Sequence, residues 1–150
     1  MVSTTYRFDS TWHLHAPRDQ VYAALADVEG YQRWWPQVRQ IQRIDADTGR
    51  VWIRSVLPYT LDLVLHRSVQ DDARGLLRVD IDGDLQGWCA WQVSAEEAGT
   101  CAEFSQEVEV TATMLQRAPI AIRPLLRGNH SYMMRSGERS LRNDLACHHS

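Results

Sequence analysis

The sequence predicts an α+β domain in which a curved antiparallel sheet of seven strands wraps one long C-terminal helix, in the order β-α-α-β6-α. Three observations predict it. The segment from Pro119 to Ala146 carries Ile122, Leu125, Leu126, Asn129, His130, Met133, Met134, Gly137, Leu141 and Leu145 mainly on one broad face at helical spacing, while Arg127, Arg135, Arg139 and Arg142 fall largely elsewhere. From Val38 to Val110 nearly every segment alternates apolar and polar residues with a period of two. In the last of these segments Ala102, Phe104, Gln106, Val108 and Val110 oppose Glu103, Ser105, Glu107 and Glu109, so the sheet has one dry and one wet face. Roughly 28 residues at about 1.5 Å each make a helix about 40 Å long. A helix of that length needs an equally long apolar partner, and the dry face of the sheet is the element large enough to provide it.

The 150 residues suit one domain with a real core. A hydrophobic fraction of 44% with six tryptophans argues against disorder. No basic segment followed by an apolar run marks a signal peptide, and no apolar stretch reaches the roughly 18 residues of a membrane span, so a cytoplasmic location is expected. The net charge is −3 and all 16 positive side chains are arginine. They are scattered rather than striped, so nucleic acid is not an expected partner. The three cysteines, Cys89, Cys101 and Cys147, are odd in number and lack C-x-x-C spacing. Neither a disulfide framework nor a zinc site is suggested by them.

The elements follow in chain order. Thr4 to Leu14 alternates Tyr6, Phe8, Trp12 and Leu14 against Arg7, Asp9, Thr11 and His13, which is a half-buried strand. Pro17 leads into a short helix over Asp19 to Ala26 with Val21, Tyr22 and Leu25 on one side. Asp27 gives a second start signal, Gly30 interrupts, and Tyr31 to Trp35 makes another turn or two before Pro36. Val38 to Ile44 and Arg50 to Leu57 flank a turn expected at Asp47, Thr48 and Gly49. After Pro58, Tyr59 to Val69 sets Leu61, Leu63 and Leu65 against Thr60, Asp62 and His66. Leu77, Val79 and Ile81 form the next strand, between turns at Asp71 to Gly75 and at Gly83 and Asp84. Leu85 to Ser94 presents Cys89, Trp91 and Val93 on one face, and Glu96 to Gly99 turns into the last strand.

That order, together with WHLHAPRDQVYAALADVEGYQRWWPQV at Trp12 to Val38 and an Arg123–Pro124 start to a helix bearing Met133, Met134 and Gly137, resembles the START-like (SRPBCC) superfamily with its helix-grip fold. Within it the chain is similar to the bacterial polyketide cyclase/dehydrase-like proteins. The resemblance spans nearly the whole chain. It implies a hydrophobic cavity between sheet and C-terminal helix, holding a lipid, sterol, polyketide or similar molecule. It names no shared catalytic motif and no cofactor.

The residues themselves nominate a ligand-binding set: Trp34, Trp35, Tyr59, Trp91, Phe104, Gln106, His130, Met133, Met134 and Gly137. Trp34 and Trp35 could form a lid at the cavity mouth or simply close one end of the barrel, and two adjacent tryptophans cannot both face one way on a helix. Gln106 faces inward, and an unpartnered buried amide costs about 1–3 kcal/mol, so a neighbour is expected to satisfy it. His130, with Tyr59 or Tyr132, is the candidate proton-transfer group, although a histidine on an apolar face is more often a structural hydrogen bonder. His13 and His15 could share a face, but two histidines without a nearby cysteine or carboxylate make a poor metal site, and His148 and His149 are terminal. No metal is expected.

Two functions compete on these grounds. The first is binding of a small hydrophobic molecule by a monomer or homodimer. The second is an aromatase/cyclase-like enzyme that promotes aldol cyclisation and dehydration of a poly-ketone, for which a proton-transfer group must enter the pocket. A module that binds a protein through the outer sheet is a third, weaker reading.

Overall fold

The computed structural model describes residues 5–54, 60–110 and 123–147, with the side chains of 123–129 and 147 outside that description. Strand β1 (Thr5–Leu14) is followed by helix α1 (Arg18–Ala26), a 3-10 turn (Val28–Gly30) and the short helix α2 (Tyr31–Trp34). Strands β2 (Val38–Arg43), β3 (Thr48–Arg54), β4 (Thr60–Asp71), β5 (Leu76–Gly83), β6 (Leu85–Glu96) and β7 (Gly99–Val110) come next, and helix α3 (Arg123–Cys147) is the last described element. The strands form one sheet in the order β1-β7-β6-β5-β4-β3-β2, and every neighbouring pair is antiparallel. The expected β-α-α-β6-α order is therefore present, with β1 and β2 at the two edges and the α1–α2 segment bridging them.

The alternation read from the sequence places the side chains. Ala102, Phe104, Gln106, Val108 and Val110 of β7 are all buried, while Glu103, Glu107 and Glu109 are exposed. Trp12 and Leu14 of β1 are buried on the same concave side. Helix α1 turns Val21, Tyr22 and Leu25 inward, and Pro17 supplies the carbonyl that receives the first helical amides, Gln20 and Val21. The buried Thr100 hydroxyl donates to the Ala16 carbonyl (2.7 Å), which ties the approach to α1 onto β7.

One turn differs from expectation. Thr48 and Gly49 already belong to β3, paired with His66 and Leu65. The reversal lies at Asp45 to Asp47, where the Asp45 carboxylate accepts the Asp47 amide (2.9 Å) and the Thr48 carbonyl accepts the amides of Ile44 and Asp45. A side chain that imitates a backbone turn has displaced the glycine as its pivot. Residues 55–59, with Pro58 and Tyr59, and residues 119–122 at the expected start of the long helix lie outside the described part. The 25 described residues of α3 span about 37 Å.

Tryptophans fasten α3 to the sheet. Trp35 stands edge-on to Trp12 of β1 (centroids 5.6 Å apart, 63° between planes), and Trp12 stands edge-on to Trp91 of β6 (4.7 Å, 61°). The Trp35 indole N–H donates to the Met133 carbonyl of α3 (3.1 Å). One helical turn further on, Gly137 leaves the gap into which that indole fits: a Cβ added there would lie 2.5 Å from Trp35 Cε2. Exposed Gly→Ala changes inside helices gain up to about 1 kcal/mol. Overpacking against a ring fixed on two sides costs about 1–3 kcal/mol. The second effect wins. Gly137→Ala is expected to destabilise the fold by roughly 1 kcal/mol or more, read as a lower urea midpoint in an equilibrium unfolding curve.

Candidate functional site: an apolar cavity under the terminal helix

Between the concave face of the sheet and α3 lies a cavity of about 420 Å³. That is the size of a small-molecule site rather than a packing defect. Two buried clusters bound it: the tryptophan-rich one around Trp12, and one formed by Tyr6, Leu63, Ile81, Val108 and Val110. Its wall is mostly aliphatic and aromatic, because the inward positions of β3, β4 and β5 are Val51, Ile53, Leu61, Leu63, Leu65, Leu77, Val79 and Ile81.

The structure distributes the nominated residues unevenly. Trp35, Trp91, Phe104, Gln106, His130, Met133 and Met134 lie on the cavity wall. Trp34 does not. The two tryptophan rings nevertheless stack on each other (5.4 Å, 13°), although helical geometry would separate adjacent side chains. The reason is that α2 ends at Trp34 and Trp35 has already turned extended (φ −107°, ψ 103°). Gly137 is not on the wall either, because the Trp35 indole covers it. Tyr59 lies outside the described residues. Tyr132 points away on α3 and is 54% exposed.

His130 is the best-defined polar group of the wall. Its ring stacks on Phe8 (3.9 Å, 12°) and lies 5.8 Å from Phe104. Its Nε2 and the Gln106 Oε1 are 2.9 Å apart, so the imidazole N–H donates to the amide oxygen and the inward glutamine has the expected neighbour. Burial pushes the imidazole down to about 4, because the two phenylalanines and the cavity offer nothing to solvate a charge. At neutral pH His130 is an uncharged hydrogen bonder.

Sequence reasoning passed over several polar residues of the wall, Tyr31 and Arg67 among them. Tyr31 donates its hydroxyl to the Leu25 carbonyl, and burial holds the phenol protonated well above its ordinary range. Arg67 continues the Leu61–Leu63–Leu65 parity onto the concave face, paired with Val79 just before the bulge that shifts register between Arg67 and Val69. Its Nη2 donates to the Ala26 carbonyl (3.3 Å). The signal was present in the alternation: extended by one step, it places an arginine inward. The Cys89 thiol also lies on the wall, and burial raises it to about 12, which keeps it an unreactive thiol.

The arrangement offers apolar surface with a few hydrogen-bonding groups, among them an imidazole–amide pair, the Tyr31 phenol and the Arg67 guanidinium. Among the described residues no helix is long and apolar enough to cross a membrane.

Comparison with known proteins agrees with this geometry. No curated protein matches the sequence. Among solved structures the chain is similar to the ZhuI aromatase/cyclase from Streptomyces sp. R1128, with a TM-score of 0.77 at 15% identity, covering 95% of this chain and 94% of that one. A protein from Thermus thermophilus superposes with a TM-score of 0.78 at 18% identity, covering 97% and 99%. A START superfamily protein from Mycobacterium smegmatis does so with 0.69 at 11%, covering 95% and 97%. At these identities the likeness is one of fold, and the fold is the START-like helix grip. Residues 14–121, well over half of the chain, match the family described as polyketide cyclase/dehydrase and lipid transport, and the chain belongs to that family.

Proposed function

We propose that the protein binds a small hydrophobic molecule, such as a lipid or a polyketide, in the cavity between the sheet and α3. The observation that carries this reading is the cavity itself: about 420 Å³, walled mainly by aliphatic and aromatic side chains. The family description joins lipid transport to polyketide chemistry, and both begin by holding an extended apolar molecule away from water. Trp35, Trp91, Phe104, Met133 and Met134 supply contact surface, the methionines adapting to an irregular outline. The Gln106–His130 pair, Tyr31 and Arg67 offer hydrogen bonds to one or two oxygens of the ligand. The net charge of −3 and its scattered arginines speak for a partner other than nucleic acid. We place the protein in the cytoplasm, as a monomer or homodimer.

The runner-up is an aromatase/cyclase-like enzyme, in line with the name of one structural relative. The state of His130 weighs against it. A general acid or base works best with a pKa near the working pH, and an imidazole held to about 4 and paired with an amide donates no proton at neutrality.

Two outcomes test these readings. Replacing Ile53, a half-buried wall residue, by tryptophan fills cavity volume, so Ile53→Trp is expected to weaken binding of a fluorescent fatty acid at least tenfold, about 1.4 kcal/mol, in titration. His130→Ala is expected to stay within that tenfold. Undiminished binding by the tryptophan variant would remove the cavity as the site, and a poly-ketone turnover abolished in His130→Ala would promote the enzyme reading.

The pH dependence follows from the same histidine. An unfolded imidazole titrates near 6.5 and the folded one near 4, so between these values the unfolded chain binds the extra proton. Stability is therefore intact above pH 6.5 and falls as pH drops toward 4, by up to roughly 3 kcal/mol from this one group. Denaturant unfolding at pH 7 and pH 4.5 is expected to show a smaller acid loss in His130→Asn than in the parent protein.

A further inference from the structure

We propose that the convex face of the sheet carries a binding site for a thiophilic divalent cation of the zinc class, formed by His13, Glu96 and Cys101. The topology assembles it from three strands distant in sequence. His13 of β1 lies directly across from Cys101 of β7, and Glu96 is the last residue of β6, one step beyond the Ala95–Thr100 pair. One donor atom from each, an imidazole nitrogen, a carboxylate oxygen and a thiol sulfur, lies within 4.8 Å of the others. His13 Nδ1 already stands 3.0 Å from one Glu96 oxygen and 3.3 Å from the other. As a pair of histidines, His13 and His15 lack a cysteine and a carboxylate. The fold brings both to His13 and directs His15 elsewhere, its Nδ1 facing the Ala98 carbonyl (3.2 Å).

Zinc bonds of about 2.0–2.3 Å put the donors of a tetrahedral site roughly 3.5 Å apart. The three donors reach that spacing through shifts of about one ångström. Side-chain rotation allows this, since His13 is 61% and Glu96 33% exposed at the side chain. The backbone beneath is held still: the Glu138 carboxylate accepts the His13 amide (3.2 Å), and Arg142 donates to the His13 carbonyl (2.9 Å). One sulfur, one imidazole nitrogen and one carboxylate favour zinc and its neighbours over magnesium or calcium, which take all-oxygen sets. On binding, the Cys101 thiol gives its proton to solvent and the sulfur enters as thiolate. Three protein ligands leave a fourth position for water or an added ligand, and the site sits on the opposite face of the sheet from the cavity.

The C-terminal Cys147, whose side chain lies outside the description, and His148 and His149, outside the described residues, form a second run of metal-binding residue types, so the test removes them first. Full-length protein carrying Cys147→Ala, His148→Ala and His149→Ala is stripped with chelator and titrated with Co2+, a spectroscopic substitute for zinc. The expected result is one equivalent bound, with half-saturation at about 10 µM or below and a thiolate-to-cobalt charge-transfer band in the near ultraviolet. Zinc displaces the cobalt and raises the Tm by several degrees. Cys101→Ser and His13→Asn in the same background each lose the band, whereas Cys89→Ser keeps it. A band that survives Cys101→Ser, one that vanishes with the tail substitutions alone, or no saturable binding would each overturn the proposal.

Discussion

The contact on which the rest of the architecture depends is the seat of Trp35 on the terminal helix. Its ring occupies the space a side chain would take at Gly137, its N–H reaches the Met133 carbonyl, and its edge meets Trp12 of β1. A single side chain thus joins α2, α3 and an edge strand. A helix about 37 Å long that packed flush on the sheet would leave no room between them. Trp35, Met134, Leu141 and Leu145 anchor α3 on the tryptophan-rich side, and His130, Met133 and Met134 face the void. The cavity is the part of the interface that this anchor leaves unfilled.

Much of this was legible because a β-sheet writes its faces in period two. The inward set of β7, the inward tryptophans of β1 and β6 and the exposed glutamates all follow from alternation alone. Helical spacing likewise identified His130, Met133 and Met134 as inward residues of α3. Period-based reasoning stopped where the backbone leaves its regular form. Trp34 and Trp35 stack because the helix ends between them, and the β2–β3 reversal moved because the Asp45 carboxylate captures an amide that a propensity argument assigned to a glycine turn. Gly137 was nominated as a ligand-binding position. A missing side chain signals only that something comes close, and here the close object is protein.

Three polar residues that border the void show how a cavity differs from a core. In a packed core an inward glutamine, histidine or arginine would need a partner in every direction. Gln106 and His130 satisfy each other along one edge, and Arg67 spends one nitrogen on the Ala26 carbonyl. Each of them also borders the void. Half-spent hydrogen-bonding capacity facing an apolar space is what orients a ligand without attracting bulk water. The neutrality of His130 fits that role, because an imidazolium there would call for a counter-charge among the described wall residues, and Gln106 is an amide.

The same alternation that builds the cavity insulates it from the opposite face. Trp12 and His13 are consecutive on β1, yet one sits in the tryptophan cluster and the other meets Glu96 outside. Chemistry on the convex face is therefore separated from the cavity by the thickness of one sheet, and what the two share is α3. That helix contributes His130, Met133 and Met134 to the cavity wall, and one to three turns later it clasps the backbone of His13 through Glu138 and Arg142. Because β1 is an edge strand, its outer amides would otherwise lie open to pairing with another chain, and the Glu138 carboxylate occupies one of them. The helix that covers the cavity is thus held on its inner face by the Trp35 ring and on the strand edge by this clasp. Any group that stiffens His13 also stiffens this clasp.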